Sequence, residues 1–300
     1  MIQTYKDILI KNGTKFKENE PLSLHSTFRI GGNAKLFVMP DSEEHFAMTV
    51  SLAKCAGIRY YVIGKGSNVV FPDEGFDGVI ISTLGLNTTE VNGCTITAGA
   101  GTSFTELAVT AAKNNLTGLE FAYGIPGSLG GAVFMNAGAY DGEISFVITK
   151  SRYFDTEKML FGEFVGDEHC FGYRESIYRE HPELIIVSAE LTLKKGNREE
   201  IDAKMNDFIT RRRDKQPLEF PSAGSSFKRY PGRYTAQMID EAGLKGFTVG
   251  GAQVSEKHAG FIINKGGATA ADVLELSNII KKKLFDLHGI KIECEMIFVK

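Results

Sequence analysis

The chain has no tryptophan, only four cysteines and six histidines, and no excess of positive charge. Cys55, Cys94, Cys170 and Cys294 lie far apart without a Cys-x-x-Cys pair, which excludes a zinc ribbon and a dense disulfide framework. Reduced thiols and no metal site are the expectation. A formal net charge of -3 lacks the basic surplus of nucleic-acid-binding domains, so no nucleic-acid partner is expected. The apolar run Ile8 to Ile10 is flanked by lysines and is too short for a signal-peptide core or a membrane span. Nothing in the sequence points to a membrane partner or to export, and a cytoplasmic location is expected. Internal repeats and low-complexity stretches are also missing.

What is present is glycine, 33 of 300 residues, in clusters where backbone must turn sharply or approach a ligand, and enough apolar content, 43%, for more than one core. Helices alternate with short strands, an α+β or α/β pattern. After Pro40, Asp41 to Ala56 opens with an Asp-x-x-Glu cap (Asp41, Glu44), carries Phe46, Val50 and Ala53 on one stripe and stops at Gly57. Arg59 to Ile63 and Gly78 to Ser82 read as strands around a Gly-rich loop, without a helix between them. A Ser-x-x-Glu box (Ser103, Glu106) predicts a second helix with Leu107, Ala108, Ala111 and Ala112 inward. A third follows Asn197, with Ile201, Met205, Phe208 and Ile209 apolar, until Pro217 stops it. The last runs from Thr269 and Asp272 through Val273, Leu276, Ile280, Leu284 and Leu287 to Gly289, and Ile290 to Phe298 then alternates as a strand with one face buried.

Gly64-Lys-Gly-Ser-Asn68 follows a strand, yet it lacks the third glycine of a dinucleotide fingerprint, and Pro72 falls where the phosphate-binding helix should begin. No Walker A loop exists. Consecutive backbone amides of Gly64 to Asn68, and of a second Gly-rich segment from Gly124 through Gly131 to Gly138, could form concavities for a diphosphate. Each segment taken singly reads equally as a tight turn.

Six segments in order, Ser26-Thr-Phe-Arg-Ile-Gly-Gly32, Gly64-Lys-Gly-Ser-Asn68, Ile125-Pro-Gly-Ser-Leu-Gly-Gly-Ala132, Met135-Asn-Ala-Gly-Ala-Tyr140, Phe171-Gly-Tyr-Arg174 and Ala223-Gly-Ser225, resemble the UDP-N-acetylenolpyruvoylglucosamine reductase family from about residue 20 to the carboxyl terminus. The resemblance implies an α+β chain with an FAD-binding region of the PCMH/vanillyl-alcohol-oxidase type. Two subdomains (1–84 and 85–198) would hold the flavin, and a carboxyl-terminal α+β domain (199–300) would bind substrate. It implies FAD contacts from Gly64, Lys65, Gly66, Ser67, Asn68, Pro126, Gly127, Ser128, Gly130, Gly131, Ala132, Asn136 and Gly138, and NADPH as co-substrate. Neither loop contains the His through which relatives of this fold attach FAD covalently, so non-covalent FAD is expected. Only 40 residues separate Arg174 from Lys215, as in the shorter subtype that lacks an inserted loop bearing a substrate-covering Tyr.

The family's catalytic residues correspond to Arg174, Ser225 and Glu295, and its substrate-binding residues to Tyr173, Lys215 and Arg229. Hydride addition to an enolpyruvyl ether throws negative charge onto the carboxylate-bearing carbon, which a planar guanidinium can meet bidentately and a hydroxyl can protonate. Without that context, Arg174 reads as an ion-pair partner of Glu175 or Glu180, Ser225 and Ser226 read as turn residues, and Arg211 to Arg213 as complements to a helix dipole. Alternation puts Lys291, Glu293 and Glu295 on one solvated face, and Cys294 stands where the family pattern has Pro, so Glu293 is the fallback for the carboxylate. Arg229 replaces a small amide. The implied reaction reduces UDP-N-acetylenolpyruvoylglucosamine to UDP-N-acetylmuramate for peptidoglycan precursors, by a monomer. The competing readings are an FAD-linked oxidase of the same fold and a nucleotide-sugar binding protein without catalysis.

Overall fold

A computed structural model describes residues 1–300. The chain folds as two compact units. Unit 1 comprises Met1–Asn19, Lys35–Lys65 and Asp77–Thr210, and unit 2 comprises Glu20–Ala34, Gly66–Phe76 and Arg211–Lys300. A reading along the sequence divides the chain into contiguous stretches at 84/85 and 198/199. The compact units are interleaved instead, because Phe28, Ile30 and Val70 pack into the core that Ile239, Val254, Leu276 and Ile280 build in unit 2.

In unit 1, helices α1 (Ile2–Lys11) and α2 (Glu43–Cys55) accompany a four-stranded sheet in the order Lys15–Pro21, Asn33–Met39, Phe76–Ser82, Tyr60–Ile63, most of whose residues lie in this unit. The last two strands run parallel, joined without a helix, as the sequence pattern predicts. Helix α2 begins one residue later than expected. Ser42, not Asp41, accepts the His45 amide at 3.1 Å, while the Asp41 carboxylate is engaged by the His45 ring. Phe46, Val50 and Ala53 are fully buried, as the stripe requires.

A second sheet, antiparallel throughout, has the order Leu160–Val165, Ile148–Asp155, Leu184–Thr192, Thr95–Gly99, Thr89–Asn92. Helices α3 (Phe104–Lys113) and α4 (Leu129–Phe134) pack on it in one core containing Phe104, Leu107, Leu129, Val133, Tyr178 and Leu191. Short helix α5 (Ile177–Glu180) follows the Phe171–Arg174 segment. Helix α6 (Arg198–Lys215) is capped by Asn197 Oδ1, which accepts from the amide of Glu199 at 2.8 Å, and it buries Ile201 and Met205 but leaves Phe208 and Ile209 half-buried.

Unit 2 contains α7 (Thr235–Glu241), a three-stranded antiparallel sheet (Thr248–Val249, Ala252–Val254, Ile262–Asn264) and α8 (Ala270–His288). The Thr269/Asp272 capping box and the left-handed Gly289 (φ 67°) bound α8 as predicted. Val273, Leu276, Ile280 and Leu284 are completely buried, each contributing about 1.5–3 kcal/mol of transfer energy. Leu287 is 51% exposed, since the last turn overhangs this core. The predicted strand 290–298 shrinks to Ile297–Phe298, paired in parallel with Val69–Val70. Ahead of it Cys294 makes a single bridge to Phe227, and the chain bends at Glu295.

Candidate functional site

In unit 1 the carboxyl end of strand Tyr60–Ile63 meets the second Gly-rich segment. A Cβ on Gly64 would collide with Ser128 Oγ, and one on Gly130 would stand 2.9 Å from Ala100 Cβ, so glycine is required at both positions for backbone to approach backbone. Three hydrogen bonds lock the segment down: Phe104 N to Gly127 O (3.0 Å), Leu129 N to Thr102 O (2.9 Å) and Gly130 N to Ala100 O (2.8 Å). Gly127 and Gly131 differ from their neighbours. A Cβ on Gly127 would meet nothing nearer than 3.9 Å and one on Gly131 nothing nearer than 3.6 Å, and Gly131 is exposed in the first turn of α4, where its N–H has no intrahelical acceptor. Lys65 projects to the same place, its Nζ donating to Ser103 Oγ at 2.7 Å. That contact explains why the expected Ser103 side-chain cap of α3 is not made: the hydroxyl faces Lys65. The capping-box pattern gives no sign of this contact between Ser103 and Lys65.

A fixed cation, bare glycine backbone and an available amide are the donor set that an anionic diphosphate needs. The residues present therefore fit a flavin dinucleotide, and neither loop carries a His for covalent attachment.

Arg174 occupies a second part of unit 1. It is half-buried in a left-handed conformation (φ 59°), which for a non-glycine residue costs roughly 1–2 kcal/mol. Its guanidinium donates to the carbonyls of Asn136 (3.3 Å) and Gly138 (3.2 Å) and lies 5.3 Å from the centroid of the exposed Tyr173 ring. Asn136 is buried, with both ends of its amide engaged, Nδ2 donating to Gly172 O at 2.9 Å and Oδ1 accepting from Ser145 N at 3.2 Å. Asn136 and Gly138, expected on the flavin, thus hold the Arg174 loop.

In unit 2 the two adjacent serines separate cleanly. Ser226 is fully buried and accepts from Ile262 N on Oγ (2.8 Å), donates through its amide to Gly260 O (2.8 Å) and accepts from Glu295 N on its carbonyl (2.9 Å). Ser225 is exposed beside it. Glu295 is half-buried, its carbonyl accepting from Asn68 Nδ2 at 3.0 Å, whereas Glu293 is 74% exposed in a 3.2 Å ion pair with Lys228. The backbone register therefore puts Glu295, not the fallback Glu293, next to the serine pair.

Gly66 (φ 63°) must be glycine because a Cβ there would collide with the His25 carbonyl, and its own carbonyl accepts from Thr27 N at 3.2 Å. Ser67 is half-buried in the same turn. Lys215 is exposed at the end of α6, and the Arg229 guanidinium lies 5.3 Å from the exposed Tyr234 ring. His258 has its pKa lowered by burial, with the cations Lys245 and Lys215 acting in the same direction. In the Arg211–Arg213 run, Arg212 is buried and donates to Gln216 Oε1 at 3.1 Å. No three His, Cys, Asp or Glu side chains are grouped to hold a metal ion.

Residues 34–155 match the family model of an FAD binding domain, and residues 216–299 that of the UDP-N-acetylenolpyruvoylglucosamine reductase C-terminal domain. The reductase of Syntrophomonas wolfei is 49% identical over 284 residues, 94% of either chain. The chain belongs to the UDP-N-acetylenolpyruvoylglucosamine reductase family. The reductase of Clostridioides difficile is 44% identical, over 93% of this chain and 92% of its own. The crystal structure of the Thermus caldophilus reductase (MurB) superposes with a TM-score of 0.81 at 33% identity, over 96% of this chain and 99% of that one. The α+β fold, an FAD-binding region followed by a reductase C-terminal domain, is thus the family's.

Proposed function

We propose that the chain reduces the enolpyruvyl group of UDP-N-acetylenolpyruvoylglucosamine to UDP-N-acetylmuramate with NADPH as reductant, in peptidoglycan precursor synthesis. The observation that carries this reading is family membership along nearly the whole chain, across both the FAD-binding region and the reductase C-terminal domain.

The chemistry that bound FAD supplies is transfer of a hydride, taken from NADPH, to the terminal methylene carbon of the enolpyruvyl group. Gly127, Gly131 and Lys65 are assigned to its diphosphate, Lys65 as point charge and the glycines through bare backbone. Pro126, Ser128, Ala132 and the turn Gly66 to Asn68 are assigned to the same cofactor. The Arg174 guanidinium, already turned to accepting carbonyls, meets the charge that grows on the carboxylate-bearing carbon, an interaction worth about 3–4 kcal/mol in the transition state. Ser225 delivers the proton to that carbon, and Glu295 serves the same proton transfer. Ser226 and Asn68 fix the backbone beneath them. Tyr173, Lys215 and Arg229 are assigned to the substrate, Lys215 and Arg229 as cations for its diphosphate.

No helix is long and apolar enough to cross a membrane, and we place the enzyme in the cytoplasm as a monomer. In Ser225→Ala, NADPH should still bleach the flavin while the enolpyruvyl substrate fails to restore its colour. Normal recolouring would remove Ser225 from the mechanism.

A further inference from the structure

The segment that carries Arg174 is bracketed by two buried polar side chains whose heads meet on one hydroxyl. His169 precedes it and Tyr178 follows it. His169 Nε2 lies 2.7 Å from Ser151 Oγ, and Tyr178 OH lies 2.6 Å from the same atom. All three residues are completely buried. Ser151 sits in Ile148–Asp155, an inner strand of the five-stranded sheet, paired with Phe164 on one side and Ala189 on the other. It is a fixed point.

The hydrogen positions follow from the partners. His169 Nδ1 lies 2.8 Å from the Gly166 carbonyl, which can only accept, so Nδ1 carries the proton. In the neutral ring Nε2 then accepts from Ser151, and Ser151 accepts from Tyr178. The side-chain polar atoms of these three residues are all satisfied, and burial keeps the His169 pKa below its usual value, consistent with a neutral ring. The same burial excludes a hydrolytic role for the Ser–His pair, since nothing can reach the hydroxyl.

The His169 ring continues the hold. It stacks on Phe171 with centroids 5.0 Å apart and planes 5° apart, across Cys170, which is left-handed at φ 49°. The loop between the brackets is gripped on a second side by Phe134 to Gly138, where Ser176 Oγ donates to Phe134 O at 2.8 Å and Asn136 and Gly138 receive Arg174. Two left-handed non-glycine residues, Cys170 and Arg174, persist only where the surroundings over-determine them.

We propose that Ser151, His169 and Tyr178 form a clasp that closes both roots of the 170–177 loop and thereby positions Arg174 for the reduction step. This rests on the reading of Arg174 given above. The three are positioning residues and touch neither substrate nor cofactor.

The test uses the FAD-loaded enzyme and two variants, Ser151→Ala and Tyr178→Phe, the second retaining the ring so that it folds even where the first does not. Amide hydrogen exchange across residues 170–176 should accelerate roughly tenfold in each folded variant. Recolouring by the enolpyruvyl substrate should slow by about tenfold or more while bleaching by NADPH stays within about twofold. Unchanged exchange in Tyr178→Phe, or equal slowing of both half-reactions, overturns the clasp. Arg174→Ala is the control: normal recolouring in that variant defeats the reading of Arg174 itself, whereas slow recolouring there beside normal recolouring in the clasp variants defeats only the clasp.

Discussion

Arg174 in unit 1 and Ser225 in unit 2 are presented in opposite ways. Arg174 lies on a loop with left-handed backbone at Cys170 and Arg174, and its own side chain makes holding contacts, to the carbonyls of Asn136 and Gly138. Ser225 makes none of the holding contacts of its segment. Its neighbour Ser226 makes three, to Ile262, Gly260 and Glu295, leaving the Ser225 hydroxyl exposed. In the first region the side chain proposed for the chemistry is also structural, and in the second the proposed and the structural duty fall to adjacent residues. Substitutions should therefore separate activity from stability in unit 2 and mix them in unit 1.

The largest effect is expected from Arg174→Ala. Loss of a preorganised cation should lower kcat by about a hundred- to a thousandfold, measured by NADPH oxidation with the UDP-sugar, and unfolding should shift as well because the Asn136 and Gly138 carbonyls lose their donor. A kcat within threefold of the parent would detach this residue from the chemistry. Next comes the serine pair, compared by urea melts. Ser226→Ala leaves the buried Ile262 amide without its acceptor and should cost about 1–3 kcal/mol, while Ser225→Ala should stay within about 0.5 kcal/mol. Equal losses would erase the division of labour.

Smaller is the effect of pH on stability. Burial lowers the His169 pKa, so the unfolded chain binds this proton more readily than the folded one. Its contribution is complete above the unfolded value of about 6.5 and is lost as pH falls from there through the lowered folded value, by no more than about 1.4 kcal/mol per pH unit. His169→Gln should flatten the stability curve below pH 6.5, leaving the part due to His258, which is shifted in the same direction; an unaltered curve would mean that His169 is already charged in the folded state. Smallest and most local is Thr269→Ala, which removes the acceptor for the Asp272 amide at the start of α8 and should cost about 1 kcal/mol without changing turnover.

Much of this was legible in the sequence. Thr269, Asp272 and Gly289 bound α8 because a capping box and a left-handed glycine are local devices, and Phe46, Val50 and Ala53 are buried because a helical stripe has one period. What failed depends on distant partners. Ser103 does not cap α3 because Lys65, 38 positions away, claims its hydroxyl. The 290–298 strand is curtailed because Cys294 and Glu295 are held by Phe227, Ser226 and Asn68. Interleaving of the two units was hidden for the same reason: nothing local in Phe28 or Val70 tells which core receives it. At the site, motif order nominates Arg174 and Ser225 as a proposal, whereas the contacts of Asn136 and Gly138 with the Arg174 loop, and the structural contacts of Ser226, depend on residues distant in sequence.

In the proposed reaction hydride and proton pass to an enolpyruvyl group and not to oxygen. The most direct measurement follows flavin absorbance in the purified protein under anaerobic conditions, first with NADPH and then with one equivalent of UDP-N-acetylenolpyruvoylglucosamine. The expected result is bleaching, followed by full recolouring on addition of the UDP-sugar. A protein that is colourless as purified, or one whose reduced flavin recolours only when oxygen is admitted, would contradict it.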